Sequence, residues 1–352
     1  MKQYKIIILS LAGIGDTMFS IPLIKEIKKN LPESKIDVLV MWEGSKQILE
    51  NNPDIDKIYQ FNMFDEGILK TLIFLKKLRN KKYDFSFNTY PQSKIHYKIV
   101  AALIGAKIRI GHIYDNFNPL NSFLLNKTIR QDYNIHAIEN NLNLLKFVGE
   151  KKLKKHNYKF NLRNKDKKKA ENFVEKNKLK NKNLIGIHVG SGSTKNLFLR
   201  RWPLQNYYNL IKKLLKDKNN RILLFGGSKE LKENNFLINK IDDKKVILVR
   251  TDNIKETAAI IKKCRIFISV DTVLMHIAAS MNVPYQIIIK TPTYNKTVEP
   301  YRKKFFLVGG ELPKKIGYKY NGRGIYGRKK DILNYMKNIT PENVYKVVDS
   351  IK

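Results

Sequence analysis

Short runs of β-branched and other apolar residues alternate along this chain with longer stretches in which apolar positions recur every three or four residues. The short runs read as buried strands and the longer stretches as helices. In the first half the strand pattern falls at Lys5–Leu11, Ile36–Met41, Ile58–Phe61, Phe85–Asn88 and Ile108–Gly111, with helical patterns at 22–30, 68–78 and 97–104. In the second half strands are expected at Leu184–Val189, Arg221–Phe225, Val246–Val249, Ile266–Val270 and Tyr285–Ile289, with helices at 204–216, 231–240, 254–263 and 275–281. Strands that alternate with helices imply parallel, doubly wound sheets.

Between Glu150 and Asn183 the chain turns rich in lysine and asparagine, and the domain junction is expected inside that stretch. The pattern therefore predicts an α/β chain of two Rossmann-like domains, 1–165 and 166–335. A terminal segment, 336–352, follows, in which Thr340-Pro-Glu-Asn supplies an N-cap and a proline at the first helical position. That helix could pack back on the first domain. Ligands of open α/β sheets bind beyond the carboxyl ends of the strands, so two such domains are expected to face a central cleft.

Composition narrows the class of partner. With Lys+Arg 68 against Asp+Glu 31, the formal charge of +37 favours polyanions such as anionic lipid or phosphorylated glycans. Lysine is spread through every segment, however, and the abundance of Asn, Ile and Tyr matches an AT-rich coding bias, so a sequence-specific nucleic-acid reader is not expected. A single cysteine, Cys264, rules out a disulfide or a thiolate metal site within one chain and fits a reducing cytosol. Lys2 and Lys5 precede an apolar run, as in a signal peptide, but Gly13, Gly15 and Asp16 follow where a cleavage site should be. No stretch approaches the roughly 20 apolar residues of a membrane span.

Two strand-to-helix junctions carry the strongest chemical signal. After the first strand comes Leu11-Ala-Gly-Ile-Gly-Asp16, where the glycines allow a tight turn and Asp16 sits at a helix start, a simple N-cap or a general base kept ionised by the helix dipole. After the strand at 266–270 comes Asp271-Thr-Val-Leu-Met-His276. Here Asp271 and Thr272 can cap the helix, and the amides of Val273, Leu274 and Met275 would point at an anion, with diphosphate the expected occupant. His276, one turn in, reads as a packing residue.

The strand at 184–189 leads into Gly190-Ser-Gly-Ser-Thr194, whose Ser191 hydroxyl, with Lys195, Arg200 and Arg201 behind it, could bind phosphate. Glu230, after Phe225-Gly-Gly, could accept from a ribose or merely stabilise a helix start. Asp54 and Asp56 resemble a metal-binding pair but follow Pro53 into a strand, so they read as a turn, and no metal ligand is expected.

Taken together these pieces resemble the glycosyltransferase family 9 heptosyltransferases. The similarity runs through Gly13-Ile-Gly-Asp16, Pro53-Asp-Ile-Asp56, Gly105–Gly111, His188-Val-Gly-Ser191, Arg200-Arg-Trp-Pro203, Phe225-Gly-Gly227, Asp271–His276 and Ile339–Val344. The resemblance implies a GT-B fold and inverting transfer of a sugar, typically heptose from ADP-heptose, to the lipopolysaccharide core at the cytoplasmic face of the inner membrane. The nucleotide sugar is then a co-substrate, with no cofactor or metal. By position Asp16 resembles the family's catalytic base, Arg200 its phosphate-binding residue, and Asp271 through Met275 its donor contacts. Val273 stands where many members have glycine, Lys290-Thr-Pro-Thr293 replaces Phe-Gly-Pro-Thr, and Asn88 replaces an aspartate. The cysteines that many relatives carry around Gly317–Arg328 are missing.

Two other readings fit the same residues: a GT-B enzyme working on a different nucleotide sugar, as transferase or epimerase, and a non-catalytic polyanion-binding protein. The stripe Ile68–Arg79, followed by Lys81 and Lys82, is a basic amphipathic helix whose apolar face would cover the first sheet and whose charge would suit anionic lipid.

Overall fold

A computed structural model describes residues 3–115, 121–149, 158–191, 196–302, 304–319 and 324–351. The chain divides into two compact units, Met1–Asn161 and Leu162–Lys352. The first is built on strands β1 (Lys5–Ser10), β2 (Lys35–Val40), β3 (Lys57–Gln60), β4 (Phe85–Asn88), β5 (Ile108–Ile113) and β6 (Lys127–Arg130). All pair in parallel in the order β3-β2-β1-β4-β5-β6. The second unit holds β7 (Asn183–His188), β8 (Asn220–Phe225), β9 (Val246–Leu248), β10 (Ile266–Ser269), β11 (Tyr285–Ile289) and β12 (Phe306–Val308). These too are parallel, in the order β12-β11-β10-β7-β8-β9. Each sheet thus grows outward on one side of its first strand, then reverses and grows on the other.

The central strands are the apolar runs: Ile6 to Leu9, Ile185, Ile187 and Ile266 to Ile268 are buried because helices cover both faces. The edge strands β6 and β12 escape the sequence pattern. Each is only three or four residues long, and β6, Lys-Thr-Ile-Arg, has no apolar run to mark it. An antiparallel pair, β13 (Gly317–Lys319) with β14 (Gly324–Tyr326), is also unmarked.

Two expected boundaries need correction. The lysine-rich stretch expected to hold the junction contains the helix Asn164–Lys176, which a boundary at 165 would cut. Asp166 fixes its start by accepting from the Arg163 backbone N–H at 3.1 Å and from its guanidinium at 2.8 Å, and Ala170 is buried. The segment 336–352 is not a separate element either. The helix Pro341–Ser350 puts Val344 and Val348 into the core of the second unit, against the helix Leu204–Leu214. Just ahead of it, the carbonyl of Ile339 accepts a 2.6 Å hydrogen bond from Trp202 Nε1. Trp202 itself is buried, edge-on to Tyr207.

That bond ties the segment at 197–203 to the end of the chain. Replacing Trp202 with Phe removes this donor and leaves the Ile339 carbonyl with the longer, 3.2 Å bond from Asn206 Nδ2. A loss of about 1–3 kcal/mol is expected in denaturant unfolding; an unchanged midpoint would show that the carbonyl is satisfied another way.

Candidate functional site

Both junctions singled out in the sequence sit where their sheet reverses. In the first unit β1 and β4 lie side by side, Leu9 opposite Asn88, and both chain segments leave the sheet there. The β1 turn enters the short helix Ile14–Met18, and Asp16 Oδ2 accepts a 2.8 Å hydrogen bond from the backbone N–H of Gly13, so the carboxylate is clamped to its own loop. It remains half-buried rather than sealed. A Cβ at Gly13 would fall 3.0 Å from Asp16 Oδ2, tighter than most side chains tolerate. Trp42 Nε1 donates to Ala12 O at 2.7 Å, and Thr17 Oγ1 donates to Ser45 Oγ at 2.8 Å, which hold the loop and the helix from outside. Across the reversal, Thr89 Oγ1 and Gln92 Nε2 both donate to Leu9 O.

In the second unit β7 and β10 are the reversal pair, His188 opposite Ser269. Arg200 Nη1 donates to Asp271 Oδ2 at 3.2 Å and to Thr293 Oγ1 at 3.3 Å, while Thr293 Oγ1 donates to Asp271 Oδ2 at 3.0 Å. The three side chains form a closed polar triangle at the carboxyl ends of β7, β10 and β11. Arg201 faces the other way, donating to Glu233 Oε1 at 2.6 Å and to Ser191 Oγ at 3.3 Å, with Glu230 Oε1 3.5 Å from its Nη2.

The structure corrects the expected capping. Asp271 is spent on Arg200 and Thr293, the Thr272 hydroxyl is hydrogen-bonded to His188 Nδ1 at 3.1 Å, and the helix Val273–Ser280 has no side-chain cap. The Met275 N–H already donates to Thr272 O at 3.1 Å, so the amides that suit an external anion are those of Val273 and Leu274. Leu274 and Met275 bury their side chains, which leaves the Leu274 backbone for a ligand, and Val273 alone of the three is partly exposed. Glu230 Oε2 accepts from Gly227 N–H at 2.9 Å. Carboxylate oxygens have further lone pairs, so a ribose hydroxyl can still be accepted there. A Cβ at Gly190 would fall 2.6 Å from Glu230 Oε1, so a side chain here would push the Glu230 carboxylate out of its present place. Lys195 lies outside the described residues. Asp54 lies in a turn in which its backbone N–H donates to Asn52 Oδ1 at 3.0 Å, and Asp56 Oδ2 accepts from the N–H of the β2 residue Ile36 at 2.7 Å.

Sequence reasoning did not single out Thr293 or His188 as site residues, although both stand in segments compared with the family, and it did not reach Lys98 at all. Thr293 closes the Arg200–Asp271 triangle; the signal was its place in a loop straight after a strand. Lys98, on the helix Ile95–Ile104, is 2% exposed with no acidic partner among the described residues, and its Nζ lies 5.9 Å from the Tyr114 ring centroid. Burial lowers its pKa. It shares a helical face with Ala101, and a lysine on that buried stripe was the available clue.

Three histidines are held neutral. Burial, then the charges of Arg201 and Arg200, lower His188 to about 3. Burial and Arg200 bring His276 to about 3, and burial with Lys98 lowers His112 to about 4 against the Asn140 carbonyl that favours its charged form. None can serve as an acid or base near neutrality, which agrees with His276 as a packing residue.

Residues 72–348 match the family described as glycosyltransferase family 9 (heptosyltransferase). Lipopolysaccharide heptosyltransferase 1 of Campylobacter coli is 26% identical over 323 residues, 88% of this chain and 90% of that protein. A glycosyl transferase family 9 structure from Veillonella parvula DSM 2008 superposes with a TM-score of 0.78 at 19% identity, covering 99% of this chain and 97% of that one. The E. coli heptosyltransferase WaaC with ADP-2-deoxy-2-fluoro heptose gives 0.72 at 18% identity, covering 99% and 100%. At these identities the two structures show a shared fold.

The neutral histidines set a pH dependence. Their folded pKa values lie below the unfolded value of about 6.5, so their contribution to stability is full above that value and is lost as pH falls toward 3. Below the unfolded value each favours unfolding by up to about 1.4 kcal/mol per pH unit. The melting temperature should drop between pH 7 and pH 5, with a smaller drop in His276→Gln; equal slopes would mean that His276 titrates normally.

Proposed function

The chain belongs to glycosyltransferase family 9, and we propose that this glycosyltransferase moves heptose from ADP-heptose to the inner core of lipopolysaccharide, with inversion and without a metal. The observation that carries the catalytic part is Asp16: a carboxylate clamped by Gly13 N–H at the reversal of the first sheet, half-buried and at a helix start. In this reading Asp16 takes the proton of the acceptor hydroxyl as its oxygen attacks the anomeric carbon. The bond from that carbon to the diphosphate oxygen breaks, and ADP leaves with the electron pair. A sugar hydroxyl is far less acidic than a carboxylic acid, so proton transfer is late.

The leaving diphosphate needs positive charge in place before the bond breaks. Arg200 and the first amides of the helix Val273–Ser280 can supply it, with Ser191, Lys195 and Arg201 alongside and Glu230 on the ribose. Arg200 is oriented by Asp271 and Thr293, so no side chain has to reorganise to present it. Lys98, a buried lysine beside Tyr114 with no carboxylate partner among the described residues, suits an anionic group of the acceptor. Among the described residues no helix is long and apolar enough to cross a membrane, and we place the enzyme peripherally at the cytoplasmic face of the inner membrane, where a lipid-borne acceptor is made.

Transfer is followed by mass spectrometry with ADP-heptose and a heptose-free core acceptor in the presence of chelator, and donor affinity by calorimetry. Asp16→Asn should lower turnover by about 100-fold or more while donor affinity stays within a few fold; unchanged turnover removes Asp16 as the base. Preference for a UDP or GDP sugar, or loss of donor binding with chelator, would overturn the donor or the metal-free reading. Lys98→Met should raise KM for the acceptor about tenfold or more with donor affinity unchanged, whereas an unaltered KM would leave Lys98 outside the acceptor site.

A further inference from the structure

Sixteen large hydrophobic side chains are exposed on the described surface, and nine of them come from three neighbouring helices of the first unit and the turn beside them, which makes a patch rather than scatter. The helix Gly67–Arg79 buries only its second half: Leu75 and Leu78 enter the core and Phe74 stacks on Phe61, ring centroids 4.2 Å apart. Its first half overhangs. Ile68, Leu69 and Ile73 are 81%, 73% and 63% exposed, and Leu72 continues the same stripe. The stripe expected to cover the sheet therefore does so along half its length.

The neighbouring helix Ile95–Ile104 adds a ridge of Ile95, Ile99 and Leu103, spaced four apart and all exposed. Phe64 extends the patch over the start of that helix, edge-on to His96 at 6.0 Å, and Phe123, 79% exposed, lies on the short helix packed against it. Among the described residues of this unit, none covers these side chains. Along 64–82 six basic side chains, Lys70, Lys76, Lys77, Arg79, Lys81 and Lys82, stand exposed against two acids, Asp65 and Glu66. One of the six, Lys70, is paired, with Glu66 at 3.2 Å.

We propose that this face is the membrane-docking surface of the enzyme, its apolar stripe entering the acyl boundary and its lysines meeting the phosphates of an anionic bilayer. Apolar side chains beside a lysine-rich helix end match that interface in both chemistry and charge. A second copy of the chain matches poorly, because it would bring the same basic flank and its own +37 against this one. The inference deepens the peripheral association proposed above and rests on that part of it, not on the identity of the sugar. Docking through the first unit would hold the Asp16 loop close to a lipid-borne acceptor.

The test is co-sedimentation of the full chain with phosphatidylethanolamine vesicles, with and without phosphatidylglycerol, at low and high salt. Transfer to a delipidated, water-soluble core acceptor is measured alongside. Wild type should bind the anionic vesicles. Ile68→Ser with Ile73→Ser should weaken binding about tenfold or more at either salt, and Lys76→Glu with Lys77→Glu should weaken it about tenfold at low salt alone. Both double variants should transfer heptose to the soluble acceptor at the wild-type rate, since the changed side chains are exposed and far from the loop carrying Asp16 in sequence. Wild type that ignores vesicles, or variants that bind as wild type does, overturn the proposal. So does a wild-type dimer in sedimentation that Ile68→Ser with Ile73→Ser dissociates, which would assign the face to a second copy. Failure of transfer to the soluble acceptor by wild type would instead strike the proposed function and leave the docking result standing.

Discussion

The right-handed crossover of parallel strands constrains everything else in this protein. A sheet that starts in the middle and obeys that handedness must send its helices to opposite faces on the two sides of its first strand. The chain segments leaving the first strand and its neighbour across the reversal then diverge, and a crevice opens between them that no helix can fill. In the first unit that crevice receives the Gly13–Asp16 loop from one side and Thr89 and Gln92 from the other. In the second it receives Gly190 and Ser191 from one side and Asp271 from the other. Polar groups collect in these two places because backbone amides there lack partners and the sheet beneath is too apolar to supply any.

Within the second crevice, charge is arranged before any ligand arrives. Two arginines with three carboxylates around them would be costly to bury if any were unpaired, and each finds a partner. Burial first, and then these positive charges, keep His188 and His276 neutral, so the region holds its electrostatic pattern over the whole neutral pH range. A preset field of this kind favours a leaving group that gains negative charge, because nothing has to move to meet it.

Most of the fold was legible because its determinants are local. Ile6 to Leu9 and Ile266 to Ile268 read as central strands, and Gly13 to Asp16 after the first run and Asp271 after the second mark the turns. The edge strands β6 and β12 were not legible, β6 because Lys-Thr-Ile-Arg has no apolar run and β12 because its apolar run is only three residues long. The site was legible to the same degree. Asp16, Arg200 and Asp271 stand in motifs. The partners that Asp271 and Thr272 actually take, Thr293 and His188, lie some twenty and eighty residues away, and no local rule pairs a helix-capping residue with a distant side chain in preference to its own helix. The overhang of the helix Gly67–Arg79 was hidden for a related reason: periodicity tells which face is apolar, not how far the core beneath it extends.

Gly190 sets a limit on how this scaffold can diversify. Its missing Cβ is the space that the Glu230 carboxylate occupies, so the identity of a backbone position in one loop and the placement of an acid in another are a single choice. A drift toward alanine at 190, the mildest substitution chemistry offers, would evict that carboxylate from the end of the second sheet in one step. A longer side chain at 190 and the present placement of Glu230 are therefore mutually exclusive, whereas a smaller residue at 230 would leave the hollow beside Gly190 empty.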